Sequence, residues 1–250
     1  MVPLPTTTPF TFWYLVGLFV TTLVIRVVDP AIAAHLLAWS STSAQNIAHH
    51  PGRSLVASAL WLADPHWLAY AFLFAVALAP LERRVGSRWT FAIFASGHVV
   101  ASLATELPVL WAVRQHLLPR SDGHLIDVGV SYGLFATAGA LLCVLRGPWR
   151  WTALAAAELG IVLVYLADGP GGTDASVTAL GHLLALHLGL LGWLPWLRRR
   201  GLVGTLRPAT PSWLRTAARA VVLSQRRAAA WSRGSGDPGA PRAAVLSGRP

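Results

Sequence analysis

The chain has 250 residues, of which 54% are hydrophobic and only 12% are charged, and its net charge is +10. Soluble domains carry about 25% charged residues, so the composition excludes an ordinary soluble domain and favours a protein that crosses a membrane several times. All twenty basic residues are arginine, and eleven of them lie beyond residue 197, next to an apolar stretch. This placement favours the cytoplasmic flank of membrane helices over nucleic-acid binding. The single cysteine, Cys143, excludes an intrachain disulfide.

Six apolar stretches are predicted to cross the membrane as helices, because a hydrocarbon core about 30 Å thick requires about 20 residues. The predicted spans are 10–28, 66–81, 89–113, 125–145, 151–167 and 175–197. The connection 29–65 contains two apolar runs that are too short to cross, and we expect interfacial or re-entrant helices there. The predicted fold class is therefore an all-α membrane protein with six transmembrane helices.

The arginines predict that both termini lie in the cytoplasm. The membrane is expected to be a bacterial plasma membrane. The predicted inner flanks hold Arg83, Arg84, Arg88, Arg146, Arg150 and Arg198–Arg200. Residues 1–200 then form the membrane domain. Residues 201–233 are predicted to be a basic amphipathic cytoplasmic segment that binds anionic lipid. Residues 234–250 are rich in Gly, Pro, Ser and Arg and are predicted to be disordered.

Spans four and six run in the same direction in this topology and carry one polar side chain each at a similar depth. Ser131 lies six residues after the start of span four, and His182 lies seven residues after the start of span six. At about 1.5 Å per residue, both lie about 10 Å below the outer surface. A hydroxyl and an imidazole are therefore predicted to meet there, with Asp127 and Asp174 as the N-caps of the two helices.

Gly129, Ser131 and Gly133 also fit the G-x-S-x-G nucleophile elbow of soluble hydrolases. That elbow requires a preceding buried strand and an alternating α/β chain. Here the motif opens an apolar helix of membrane length, so the hydrolase interpretation is rejected.

Several spaced motifs instead resemble those of the rhomboid family of intramembrane serine proteases. The Gly-x-Ser of its fourth helix corresponds to Gly129 and Ser131, and the aromatic residue that packs on the histidine one turn later corresponds to Phe135. The His-x-x-Gly-x-x-x-Gly of its sixth helix corresponds to His182, Ala185 and Gly189.

Three further elements extend the resemblance over residues 10–200. The second helix of the family begins His-x-x-x-Asn, and His66 and Tyr70 stand at these positions. The Glu-x-x-x-Gly that ends it corresponds to Glu82 and Gly86. Arg53 stands where the first loop of the family has a Trp-Arg pair, without the tryptophan.

The resemblance implies a Ser131–His182 dyad that cleaves membrane-anchored proteins near the outer face without a cofactor or a metal. Ser131 would be the nucleophile and His182 the general base and then the general acid. The backbone N–H of Ser131, His66 and the residue at position 70 would form the oxyanion hole. Tyr70 replaces the family's amide, and Tyr132 replaces the glycine that follows the serine. These two tyrosines favour the alternative, a catalytically inactive rhomboid-like protein that binds transmembrane helices.

Structural roles remain open for the same residues. Ser131 and Gly133 suit the close approach of two helices, as do Gly181, Ala185 and Gly189 on span six. Glu82 and Gly86 are expected to belong to a structural polar network at a helix end. His187, five residues after His182, points elsewhere on its helix and is expected to be structural, and His98 and His116 lack a motif for metal binding. Glu106 and Glu158 fall within spans but lack an evident cation partner for proton transport.

Overall fold

The computed structural model describes residues 2–62, 66–128 and 130–204, and the regular elements of these ranges are all helical. The helices are α1 Pro9–Val27, α2 Pro30–Ser40, α3 Ala44–His49, α4 Pro51–Ser58, α5 Trp67–Val76, α6 Leu78–Val85, α7 Ser87–Arg114, α8 Val130–Val144, α9 Trp149–Ala167, α10 Thr173–His187 and α11 Leu194–Arg199. A 3₁₀ turn, Arg120–His124, precedes α8, and a π-helical turn, Leu188–Gly192, joins α10 to α11. The predicted lipid-binding and disordered segments lie outside the described residues.

Four described helices are long and apolar enough to cross a membrane. They are Pro9–Val27, Ser87–Arg114, Trp149–Ala167 and the continuous run Thr173–Arg199. Their length and composition confirm an all-helical integral membrane protein. Six continuous spans are not found within 2–62, 66–128 and 130–204, because the predicted second and fourth spans differ from the helices in the structure.

The predicted second span, 66–81, was wrong as a single helix, since it is divided into α5 and α6 at Ala77. Pro80 explains the break. It has no N–H to donate to the carbonyl of Val76, four residues earlier, and its ring clashes with that carbonyl. Helix α5 ends at this residue, Val76.

The predicted fourth span, 125–145, was wrong at its start, since α8 begins at Val130 and has 15 residues. The backbone of Asp127 bonds to the first loop instead of to a helix. The Thr42 N–H donates to the Asp127 carbonyl at 2.8 Å, and the Asp127 N–H donates to Ser41 Oγ at 2.8 Å. The Thr42 hydroxyl also donates to the Asp127 carboxylate at 3.1 Å. Asp127 is thus a tether between the first loop and the start of α8.

Asp174 is also not an N-cap, because α10 starts at Thr173 and its N-cap is Gly172. Asp174 lies in the first turn, where a carboxylate still interacts favourably with the helix dipole. The Thr173 hydroxyl bonds to the carboxylate of Asp122 in the 3₁₀ turn at 2.6 Å.

Helix α8 is the centre of the bundle and packs between α7 and α10. It buries Tyr132, Ala136 and Ala140, each 1% exposed or less. The contact with the run α10–π is very close: a Cβ on Gly139 would collide with the carbonyl of Leu186, and a Cβ on Gly189 with the carbonyl of Ala136. Only glycine permits two backbones to approach so closely.

Glu82 joins the starts of two helices in a buried polar network. Its carboxylate accepts hydrogen bonds from the N–H groups of Phe10 and Thr11 in the first turn of α1, at 2.8 and 2.9 Å. It also accepts from the hydroxyls of Thr11 and Ser87, at 2.7 and 2.6 Å. Gly86, between α6 and α7, has φ of +84°, a conformation that glycine adopts without strain.

Candidate functional site

Ser131 is the second residue of α8 and lies between two faces of that helix that have different neighbours. Val130 and Leu134 pack in an apolar cluster with Phe74 of α5 and Phe94 of α7. Tyr132 and Phe135 instead contact α10. Because successive residues of a helix are about 100° apart, Ser131 falls between these two faces. Its side chain is half-buried.

His182 of α10 lies against the second of these faces. Its ring centroid is 4.5 Å from that of Phe135 and 5.4 Å from that of Tyr132, the latter in an edge arrangement. Its Nε2 atom is buried and has no hydrogen-bond partner among the described residues. Within the same part of the chain, no hydrogen bond joins Ser131 to His182. The imidazole thus packs on two rings of α8, Tyr132 and Phe135, which follow Ser131 by one and four residues.

Of the two starting points behind the predicted equal depth, span four starts at Val130 and not at residue 125, whereas α10 starts at Thr173, within two residues of the predicted 175. Ser131 is the second residue of its helix, whereas His182 is the tenth residue of α10. His182 contacts Phe135, which lies one helical turn after Ser131 on α8.

Tyr132 is 1% exposed and fills the space between α8 and α10. A Cβ on Gly181 would collide with its ring, so the small residue before His182 makes room for this side chain. The phenol lies beside Thr105 and Asp127. Tyr132 therefore lies beside both Asp127, which is hydrogen-bonded to the first loop, and the ring of His182.

The remaining predicted site residues on α8 and α10 contact neighbouring helices. A Cβ on Gly133 would collide with the ring of Phe94, so Gly133 faces α7. Ala185 is fully buried in the cluster that includes Tyr132 and Ala136. Gly129 lies outside the described residues.

The predicted oxyanion residues of α5 lie at its first turn. Tyr70 is half-buried and packs on the cluster that contains Val130 and Leu134, next to the face of Ser131. His66 is exposed at the N-cap of α5. It lines a groove of about 450 Å³ with Phe19 and Arg26 of α1.

The model of the family described as rhomboid-like protein matches residues 6–202. This chain belongs to the rhomboid-like family. The match covers every described helix and confirms the family that the spaced motifs predicted. No curated protein and no solved structure matches the chain.

Sequence reasoning missed an aromatic partner in the first loop of this rhomboid-like protein. The guanidinium carbon of Arg53 lies 4.7 Å from the ring centroid of Trp39, a cation–π contact between α4 and α2. The tryptophan expected beside Arg53 in sequence is thus supplied from 14 residues earlier. The sequence signal that could have predicted this contact was Trp39, an aromatic residue separated from Arg53 by one short helix, α3.

It also missed the partner of Glu158, which was expected to have none. His187 Nε2 lies 3.3 Å from Glu158 Oε1, and both side chains are about 40% exposed. The two residues face each other between α9 and α10. His98, for which no motif was found, anchors the first loop, with Nε2 2.8 Å from the Leu55 carbonyl and 3.2 Å from Ser58 Oγ.

Proposed function

We propose that this rhomboid-like protein is an intramembrane serine endopeptidase with Ser131 as its nucleophile and His182 as its base. The observation that carries the proposal is the buried Nε2 of His182, which has no partner among the described residues, on an imidazole that packs against Phe135, one helical turn after the half-buried Ser131. A buried polar atom without a partner costs free energy, and such atoms commonly mark functional sites. Catalytic hydrogen bonds are often long or absent before substrate binds, so the missing Ser131–His182 bond is compatible with a dyad.

The chemistry follows from these two groups. His182 Nε2 takes the hydroxyl proton as Ser131 Oγ attacks the peptide carbonyl, and it then passes that proton to the leaving amine. Water hydrolyses the resulting ester and regenerates both groups. Ser131 lies in the first turn of α8, where backbone N–H groups have no carbonyl partner within the helix and can stabilise an oxyanion. His66 and Tyr70 would complete this hole from α5.

The substrates would be membrane-anchored proteins, because the serine lies in a helix of an integral membrane protein. The arginine-rich ends of the spans favour a topology with both termini in the cytoplasm. Cleavage would then occur near the outer face, where water reaches the first turn of α8.

A second candidate is a catalytically inactive rhomboid-like protein that binds transmembrane helices. Tyr132 favours it, because this bulky, buried ring packs on His182 in an edge arrangement. Helix α9 also leaves a long apolar surface exposed, with Leu159, Leu163 and Leu166 each more than half exposed.

Cleavage of a co-expressed single-span reporter tests the first candidate. We expect cleavage by the wild type and a loss of about 10⁴-fold or more with Ser131→Ala and with His182→Ala, because both members of a dyad are required. Ser176→Ala and His187→Gln on α10 are the matched controls and should cleave at the wild-type rate. A fluorophosphonate should label Ser131 only when His182 is present.

Undiminished cleavage by Ser131→Ala would remove this serine from the mechanism. The second candidate is correct if the wild type neither cleaves the reporter nor reacts with the fluorophosphonate, and if the wild type and Ser131→Ala are crosslinked to the reporter equally.

A further inference from the structure

We propose that a cleft at the arginine-rich end of the bundle binds one anionic phospholipid. The cleft has a volume of about 480 Å³ and lies between the last turns of α8, the first turns of α9, the π-helical turn and α11. Cys143 lines it from α8, twelve residues after Ser131, which corresponds to about 18 Å along the helix. The site is therefore separate from the proposed dyad.

Two arginines provide the charge that selects an anion. Arg150 and Arg198 both line the cleft, and neither has an ion-pair partner among the described residues. Arg150 Nη1 donates to the Gly204 carbonyl at 3.3 Å, while its Nε is buried and has no partner in the described part of the chain. A buried guanidinium N–H without an acceptor is well suited to a phosphate oxygen.

The walls of the cleft provide an apolar surface, which a lipid would contact and a free phosphate would not. Apart from the two arginines, Cys143 and Gly204, the lining consists of apolar side chains. They are Leu142, Trp151, Leu154, Leu190, Leu191, Leu194 and Val203. An acyl chain can lie against this surface while its headgroup contacts the arginines.

The depth of the cleft in the membrane suits a phospholipid headgroup. Trp89, Trp193 and Trp196 pack together at the same end, and the guanidinium of Arg200 lies 5.4 Å from the ring of Trp196. Tryptophan and arginine concentrate where the hydrocarbon core meets the headgroups. Basic pockets between membrane helices at this level bind acidic lipid headgroups.

Photocrosslinking tests the proposal on the full chain. A phosphatidylglycerol with a diazirine in its acyl chain is added to the purified protein in detergent, and the crosslinked residues are mapped by mass spectrometry. We expect crosslinks within 142–154 and 190–203. Arg150→Gln with Arg198→Gln should weaken lipid binding about 30-fold, because two arginine contacts with the same phosphate are lost. Leu154→Trp, which fills the cleft and keeps both arginines, should also abolish the crosslinks.

Arg114→Gln with Arg120→Gln removes the same charge from two exposed arginines that do not line the cleft and is the matched control, with wild-type crosslinking expected. Wild-type crosslinking of both the arginine double variant and Leu154→Trp would overturn the proposal. Equal crosslinking by the phosphatidylcholine analogue would overturn it as well, because the site would then not select anions. Displacement of the lipid by millimolar inorganic phosphate would assign the cleft to a soluble anion instead.

Discussion

Gly189→Ala is expected to destabilise the bundle by about 3 kcal/mol and to lower the thermal midpoint of the protein in detergent. The new methyl group would collide with the carbonyl of Ala136, which is backbone and cannot rotate away. Helices α8 and α10 must then separate, and overpacking of this kind typically costs 1–3 kcal/mol and occasionally more. Because His182 lies two turns earlier on α10, the same variant should also lose any activity of the dyad.

Gly160→Ala on α9 is the control for this effect. A Cβ at Gly160 has no atom within 4 Å, and alanine is a better helix former than glycine by about 1 kcal/mol. Its midpoint should equal or exceed that of the wild type. Equal midpoints for the two alanine variants would contradict the close contact between α8 and α10.

The membrane class and the family were predictable because they depend on local sequence. Apolar length alone indicates α1, α7, α9 and the run that contains α10. The break between α5 and α6 was also available, since Pro80 removes a backbone donor. It was missed because apolar composition continues through the break and hides it.

The contacts that shape the candidate site depend on residues far apart in the chain. Asp127 was assigned to a helix cap from its position before span four, whereas it bonds to Thr42 in the first loop, 85 residues earlier. The pairing of Glu158 with His187 joins α9 to α10. It depends on how the two helices are rotated about their axes, which residue spacing along the sequence does not determine. Ser131 and His182 could be selected as a pair from motif order, but the contact of the Tyr132 ring with His182 required coordinates.

Glu82→Gln is expected to cost about 3 kcal/mol, although it preserves the shape of the side chain. The carboxylate accepts four hydrogen bonds on two oxygens, from Phe10, Thr11 and Ser87. An amide presents one oxygen and turns its NH₂ toward the remaining donors, so that at least one buried N–H or hydroxyl loses its acceptor. Each such loss costs about 1–3 kcal/mol, and more when the lost acceptor is charged.

The matched control for Glu82→Gln is Asp168→Asn, at the exposed C-cap of α9. A carboxylate at a helix C-terminus interacts unfavourably with the dipole, so this change should be neutral or slightly stabilising. Thermal unfolding in detergent measures both variants. Because Glu82 holds the first turn of α1, hydrogen exchange at Phe10, Thr11 and Phe12 should accelerate in Glu82→Gln while exchange in α10 stays slow. If hydrogen exchange accelerated equally in α1 and α10, the carboxylate would stabilise the whole bundle and not α1 specifically.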